Sequence, residues 1–289
     1  MRISGYFKPS ELAMFAYLLL TGIIVVLQRK LLLHANLLLA IRAGVFLMVI
    51  LLAWLQDKRM FVGSIRLIRF VFPLAMLAYL YSETELLNNF LFEKDLDPYF
   101  ASWEEALFGV QPALAFAERF SSSAMAETMY FGYFSYYMML LLVPVYIYFR
   151  ESESIANRTM FIVLHSFFLV YLLFILVPVG GPQFYFTDWP ALPRGYVFGP
   201  LMRFIQDHGE APTAAFPSSH VSICIMLILL SVRHAKTLLK FLAPVALLLV
   251  LSTVYIRAHY VIDVLAAFVV TPAIYTFSGF LHDKIFTNP

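Results

Sequence analysis

Eight long apolar stretches, each with at most one charged side chain, mark this 289-residue chain. They cover residues 12–27, 36–56 (interrupted once, by Arg42), 70–82, 128–149, 159–177, 218–232, 241–256 and 264–281. Backbone amides in a bilayer must find partners within their own segment, so apolar runs of this kind are read as helices. A span needs about 20 apolar residues. The fourth and fifth runs pass easily. The first, third, sixth and seventh pass only with uncharged flanks or snorkelling ends, and the third is the shortest. The expected fold is an all-α, polytopic membrane helix bundle of about eight transmembrane helices. Composition agrees: 62% of residues are hydrophobic and only 13% charged, against roughly 25% charged in soluble domains. A disordered tail, a nucleic-acid binder and an ordinary cytosolic enzyme are excluded. The single cysteine, Cys224, leaves no intramolecular disulfide or cysteine-built metal site.

The connecting segments set an expected orientation, because cytoplasmic loops carry an excess of Lys and Arg. With the N-terminus inside, the inner segments hold Arg2, Lys8, Lys58, Arg59, Arg66, Arg69, Arg150, Arg158, Arg233, Lys236, Lys240 and Lys284. The outer segments hold only Arg29, Lys30, Lys94, Arg119, Arg194, Arg203 and Arg257. Both termini are therefore expected inside, with the first run a retained helix. Two outer segments are long. Residues 83–127 are acidic, and Asp97-Pro98 reads as an N-cap followed by a first-turn proline. The aromatic residues that follow suggest a helix on the membrane surface. Residues 178–217 are rich in Gly, Pro and aromatics.

Polar residues at membrane depth are costly and mark candidate sites. One cluster, Phe216-Pro217-Ser218-Ser219-His220, opens the sixth run, where a helix N-terminus would present unpaired N–H groups to an anion. Ser218 and His220 could equally be a plain cap and an interfacial histidine. The second cluster is Arg257-Ala258-His259-Tyr260-Val261-Ile262-Asp263. His259 and Asp263 are four residues apart and share a face if helical. The carboxylate would then fix the imidazole tautomer and leave the other nitrogen as nucleophile or base. Arg257 supplies a charge suited to phosphate oxygens. The competing reading is a structural Arg–Asp pair beside a bystander histidine. The sixth span runs inward and the seventh returns, so both histidines are expected at one mouth. Such a constellation suits phosphoryl transfer with no metal and no cofactor. Arg42 is expected to face another helix or to snorkel, and His165 to make an interhelical hydrogen bond.

Pro217-Ser218-Ser219-His220 together with His259-Tyr260-Val261-Ile262-Asp263 resembles the second and third signature motifs of the type 2 phosphatidic acid phosphatase superfamily. The close spacing of the second group, with Arg257 two residues before the histidine, is most similar to the inositol phosphorylceramide synthase-like, inositolphosphotransferase branch. The resemblance implies a six-helix catalytic core over residues 70–289 behind an N-terminal transmembrane hairpin, residues 1–69. It implies that His259 attacks phosphorus to form a phosphohistidine while Asp263 holds its ring. His220 would protonate the leaving oxygen and later activate the acceptor. Ser218, Ser219 and Arg257 would hold the phosphoryl oxygens. The family's first motif, a lysine seven residues before Arg-Pro, is absent, and its place is taken by Pro178-Val179-Gly180-Gly181-Pro182-Gln183. Gly181 and Gln183 would offer backbone and side-chain N–H donors there. The arginine expected six residues before His259 is Thr253.

The expected function is an integral membrane lipid phosphatase or phosphotransferase acting on a phospholipid or sphingolipid phosphate. Water or an alcohol would serve as acceptor, at the extracytoplasmic face of the plasma (inner) membrane. A transporter with a histidine proton relay is the rival from another class. Clustering of the polar residues at one mouth disfavours it.

Overall fold

The computed structural model describes residues 6–88, 91–92 and 94–287, so Arg2 lies outside the described residues. Among the described residues there is no strand. The long helices are α1 (Pro9–Leu27), α2 (Ala35–Asp57) and α3 (Val62–Leu87). Two short helices follow, α4 (Asp97–Phe108) and α5 (Pro112–Arg119). Then come α6 (Ser123–Arg150), α7 (Glu153–Leu176), a single turn α8 (Pro182–Tyr185) and α9 (Phe198–Gly209). The last long helices are α10 (Ser219–His234), α11 (Lys236–Tyr255) and α12 (Val261–His282), and a π-helical turn, Asp283–Thr287, follows α12.

Seven of these helices are long and apolar enough to cross a bilayer. The eighth expected span, α10, has 16 residues. At 1.5 Å per residue it covers about 24 Å, short of the ~30 Å hydrocarbon core. Pro217 and the Ser218 cap begin it late, and His220 in its first turn lies beside Tyr133 and Tyr136, well inside the long neighbour α6 (Ser123–Arg150).

The third span is much longer than its uncharged run of residues 70–82. Helix α3 has 26 residues because charges at both ends are buried in ion pairs. Arg69 donates to both carboxylate oxygens of Glu11, at 2.7 and 2.6 Å. Glu83 receives both amino groups of Arg42, at 2.7 and 2.6 Å. Arg69 and Glu83 therefore belong to a helix, and Arg42 faces another helix as expected. Each pair ties α3 to the α1–α2 hairpin.

Helix α7 is the central element, packed on α1, α3, α6, α10 and α12. Helices α6 and α11 approach most closely, and a methyl group on Gly132 would come within 2.7 Å of the Leu248 side chain. Helices α3 and α6 both lie on α7 but diverge from each other. They meet at one end through the tilted ring pair Phe70 and Tyr148, with centroids 4.5 Å apart. Toward the other end they part, leaving a lateral cavity.

Candidate active site

Both motif clusters come together at the open end of that cavity. Ser218 caps α10, its Oγ accepting from Val221 N–H at 3.3 Å, and its own N–H donates to the Asp263 carbonyl at 3.1 Å. The first turns of α10 and α12 are thereby joined. The His220 ring stacks on Tyr133 with centroids 4.3 Å apart and leans on Tyr136 at the same distance. His259 sits in the tight connection between α11 and α12. The Ala258 and His259 N–H groups share the Thr253 carbonyl there, and Arg257 adopts φ +67°.

His259 is buried, with Nδ1 2.9 Å from the Ala215 carbonyl and Nε2 3.4 Å from His220 Nδ1. A carbonyl only accepts, so Nδ1 carries the proton of the neutral ring and Nε2 keeps its lone pair. Burial pushes this imidazole down to about 4, against the support of the Ala215 carbonyl. Near neutral pH it is an uncharged ring with a free, oriented Nε2.

Asp263 approaches His259 Nδ1 without the expected hydrogen bond, which this nitrogen makes to Ala215 instead. His259 lies before the helix, because Tyr260 is the N-cap and α12 starts at Val261, so the four-residue spacing does not place the pair on one helical face. Asp263 Oδ2 accepts from Tyr260 N–H at 2.8 Å and is 3.7 Å from His259 Nδ1. Its carboxylate shapes the helix start; the Ala215 carbonyl orients the histidine.

The turn that stands where the first motif was expected is laced to both clusters. Ala215 N–H donates to Val179, and Gln183 N–H to Arg257, each at 2.9 Å. Gly181 has φ +97°, and a Cβ there would lie 2.6 Å from the Ala258 carbonyl oxygen, so only glycine fits. The Gly180 and Gly181 N–H groups are already used: they donate to Asp97 at 2.7 and 2.8 Å. Tyr260 Oη donates to the same carboxylate at 3.0 Å. Gly181 is thus a framework residue and not a free donor to phosphate. Asp97, expected to cap its own helix, instead reaches across to this turn. From the same helix, Glu104 Oε1 accepts from Val261 and Ile262 N–H at the start of α12. Burial pushes the Glu104 carboxyl up to about 7, against these two bonds. Helix α4, which exposes Tyr99, Trp103, Leu107 and Phe108, is therefore fastened over the histidines by two buried carboxylates.

Arg257 points elsewhere. Its Nη1 donates to the Pro190 carbonyl at 2.7 Å, and its guanidinium lies over the Trp189 ring at 5.2 Å. It does not line the small pocket at the histidines. That pocket, of about 20 Å³, is walled by Gln183, Tyr133, Glu210, Ser219, His220 and His259, among others. Its Glu210 carboxylate accepts from Gln183 Nε2 at 2.7 Å and from Tyr133 Oη at 2.9 Å. The pocket adjoins the lateral cavity of about 610 Å³ between α3 and α6. Tyr81, Ser219, His220 and Glu210 border both. The remainder of the larger cavity is mainly apolar and aromatic, including Leu74, Leu77, Tyr137, Leu140, Phe167 and Tyr171, with Ser82 and His208 as its other polar lining. Of the sequence-stated candidates, His220, His259, Ser219 and Gln183 converge here, while Ser218, Gly181, Asp263 and Arg257 serve the surrounding frame. Glu210, Tyr133 and Glu104 were not site candidates by sequence, and Asp97 was read only as a helix cap. Their acidic or aromatic character gave no local signal of a partner far along the chain. Among the described residues, no group of three or more His, Cys, Asp or Glu side chains is placed to hold a metal ion.

A helical membrane bundle with two facing histidines beside an apolar lateral cavity defines a class of multi-pass membrane proteins with a polar site at one end. The chain belongs to the PAP2 superfamily, whose family model matches residues 99–277, a stretch that includes both histidines. Membership makes it a lipid enzyme of the phosphatase or phosphotransferase type. No curated protein and no solved structure matches it.

Proposed function

We propose that this protein cleaves a lipid phosphate ester through a phosphohistidine formed on His259, without a metal. The observation that carries the reading is the His259 ring itself, with Nδ1–H held by Ala215 and Nε2 directed at His220. In the first step Nε2 bonds to phosphorus, the P–O bond to the lipid breaks, and His220 gives the leaving oxygen a proton. In the second, His220 takes a proton from the acceptor hydroxyl, whose oxygen displaces His259 from phosphorus. His220 must draw back from its 3.4 Å contact to admit the phosphoryl group. The lipid chains fit the 610 Å³ cavity, within the ~300–1,000 Å³ of ordinary ligand sites. Substrate would reach it sideways from the bilayer through the gap between α3 and α6.

The acceptor is water in a phosphatase and an alcohol in a phosphotransferase. The motif spacing that resembles the inositolphosphotransferase branch favours transfer to an alcohol as the alternative to hydrolysis. The basic segments gather at the end of the bundle opposite the histidines, which supports chemistry at the extracytoplasmic face of the plasma membrane. The test is phosphate release and headgroup exchange from a panel of phospholipid and sphingolipid phosphates, with and without added alcohols. His259→Ala should abolish turnover and any acid-labile phosphoenzyme. His220→Ala should slow alkyl esters far more than aryl phosphates, because a good leaving group needs little proton donation. More than a few per cent activity in His259→Ala would remove the nucleophile from this scheme.

A further inference from the structure

The pocket at the histidines contains an anion of the protein's own. Glu210, the residue directly after α9, projects into it and is held by three neutral donors. These are Gln183 Nε2 at 2.7 Å, Tyr133 Oη at 2.9 Å and, more loosely, Gln206 Nε2 at 3.4 Å. Among the salt bridges of the described residues none involves Glu210. Nor does a cation line the pocket wall, since Arg257 is committed to Pro190 and Trp189.

Two physical constraints act on a phosphate ester arriving here. The pocket volume of about 20 Å³ is that of a water site, not of a phosphoryl group. A second anion beside the Glu210 carboxylate in a poorly solvated pocket is repelled over short distances. Substrate and Glu210 therefore compete for one place and for the same donors. Two features let Glu210 move. It lies outside helical structure, and α9 packs chiefly on α6. The other end of α9 is pinned independently, because Glu127 of α6 accepts from the Tyr196, Val197, Phe198 and Gly199 N–H groups.

We propose that Tyr133 and Gln183 are the donors to the substrate's phosphoryl oxygens, and that Glu210 is an internal stand-in for phosphate, displaced when substrate binds. Two neutral donors on α6 and α8 thus replace the cations of the missing first motif. The Glu210 carboxylate keeps them oriented and excludes small anions that bring no lipid chains to offset its displacement. The inference rests on the reading that this pocket receives a phosphoryl group, and its test is a binding measurement that does not require turnover.

The full-length protein in detergent is titrated with inorganic phosphate and with orthovanadate, following heat release and protection against thermal unfolding. Glu210→Gln should bind both at least tenfold more tightly than the unaltered protein, and Glu210→Ala should do likewise. Adding Tyr133→Phe or Gln183→Leu to Glu210→Gln should reverse the gain. Unchanged or weaker binding in both Glu210 variants would overturn the proposal. So would a Glu210→Gln gain that survives removal of both Tyr133 and Gln183 donors. If the gain appears but no phosphoenzyme forms on His259 with any lipid phosphate, the anion site stands and the phosphohistidine reading falls.

Discussion

The buried pair Arg42–Glu83 offers a sharp test of how the N-terminal hairpin is attached to the wall of the lateral cavity. Both residues are almost fully buried, at 4% and 2% exposure. The guanidinium meets the carboxylate through two bonds, of 2.7 and 2.6 Å. Arg42 also donates to the Leu18 and Leu38 carbonyls and to Thr21 Oγ1. Tyr79, which lines the cavity, donates to Glu83 at 3.1 Å. Removing one partner of such a pair leaves an uncompensated buried charge and costs ~3–5 kcal/mol. At roughly 2–4 °C per kcal/mol for a protein of this size, Arg42→Met or Glu83→Leu should lower the unfolding midpoint by roughly 6–20 °C. The two are not equivalent. The arginine cannot shed its charge, so Glu83→Leu, which strands it, should be the worse. The double variant Arg42→Met/Glu83→Leu removes both charges and should lie within ~1 kcal/mol of the unaltered protein.

The assay is built into the chain. Cys224 is the sole cysteine, is 2% exposed and belongs to the same apolar cluster as Met14, Tyr17 and Val49 of the hairpin. A fluorogenic maleimide should therefore report loss of this packing as temperature rises. A double variant as unstable as the sum of the single ones would show that the charges do not interact. Single variants with unchanged midpoints would refute the assignment of a buried, desolvated pair.

Two further outcomes follow from the site. Glu104 has its carboxyl raised to about 7 in the folded protein, so it binds its proton more tightly folded than unfolded. Its contribution to stability is then complete below pH ~4.5 and is lost as pH rises through 7. Glu104→Gln keeps an acceptor for the Val261 and Ile262 N–H groups, and the midpoint difference between it and the unaltered protein should grow in its favour between pH 5 and 8. A constant difference would show that Glu104 does not titrate there. His259 titrates in the opposite sense and cancels in that comparison. For orientation, single cysteines are placed at the exposed Ala191 and Lys236 in a Cys224→Ser background and probed on sealed cells with an impermeant maleimide. Ala191→Cys should label and Lys236→Cys should not; the reverse would put the histidines on the cytoplasmic side.

Spans and motifs were legible in the chain itself, because hydropathy and helix-start chemistry are properties of a continuous segment. The apolar runs locate the helices now described as α1, α2, α6, α7, α11 and α12, and Pro217-Ser218 marks where α10 begins. Where the local pattern was silent, the missing information was the partner of a charge. Residues 70–82 look too short to span until Arg69 finds Glu11, 58 residues away, and Glu83 finds Arg42, 41 away. A hydrogen bond between His259 and Asp263 looks natural at a spacing of four, but the helix starts two residues too late and leaves them 3.7 Å apart. The carbonyl that orients the ring comes from Ala215, 44 residues earlier. Asp97 reaches Gly180 across 83 residues and Glu104 reaches Val261 across 157. A buried carboxylate is tolerable only where donors converge on it, and that convergence is set by the packing of the bundle. The sequence by itself therefore determined where the apolar helices lie and which two histidines meet. Only the tertiary structure decided what holds them, what fills their pocket, and which donors remain for a substrate.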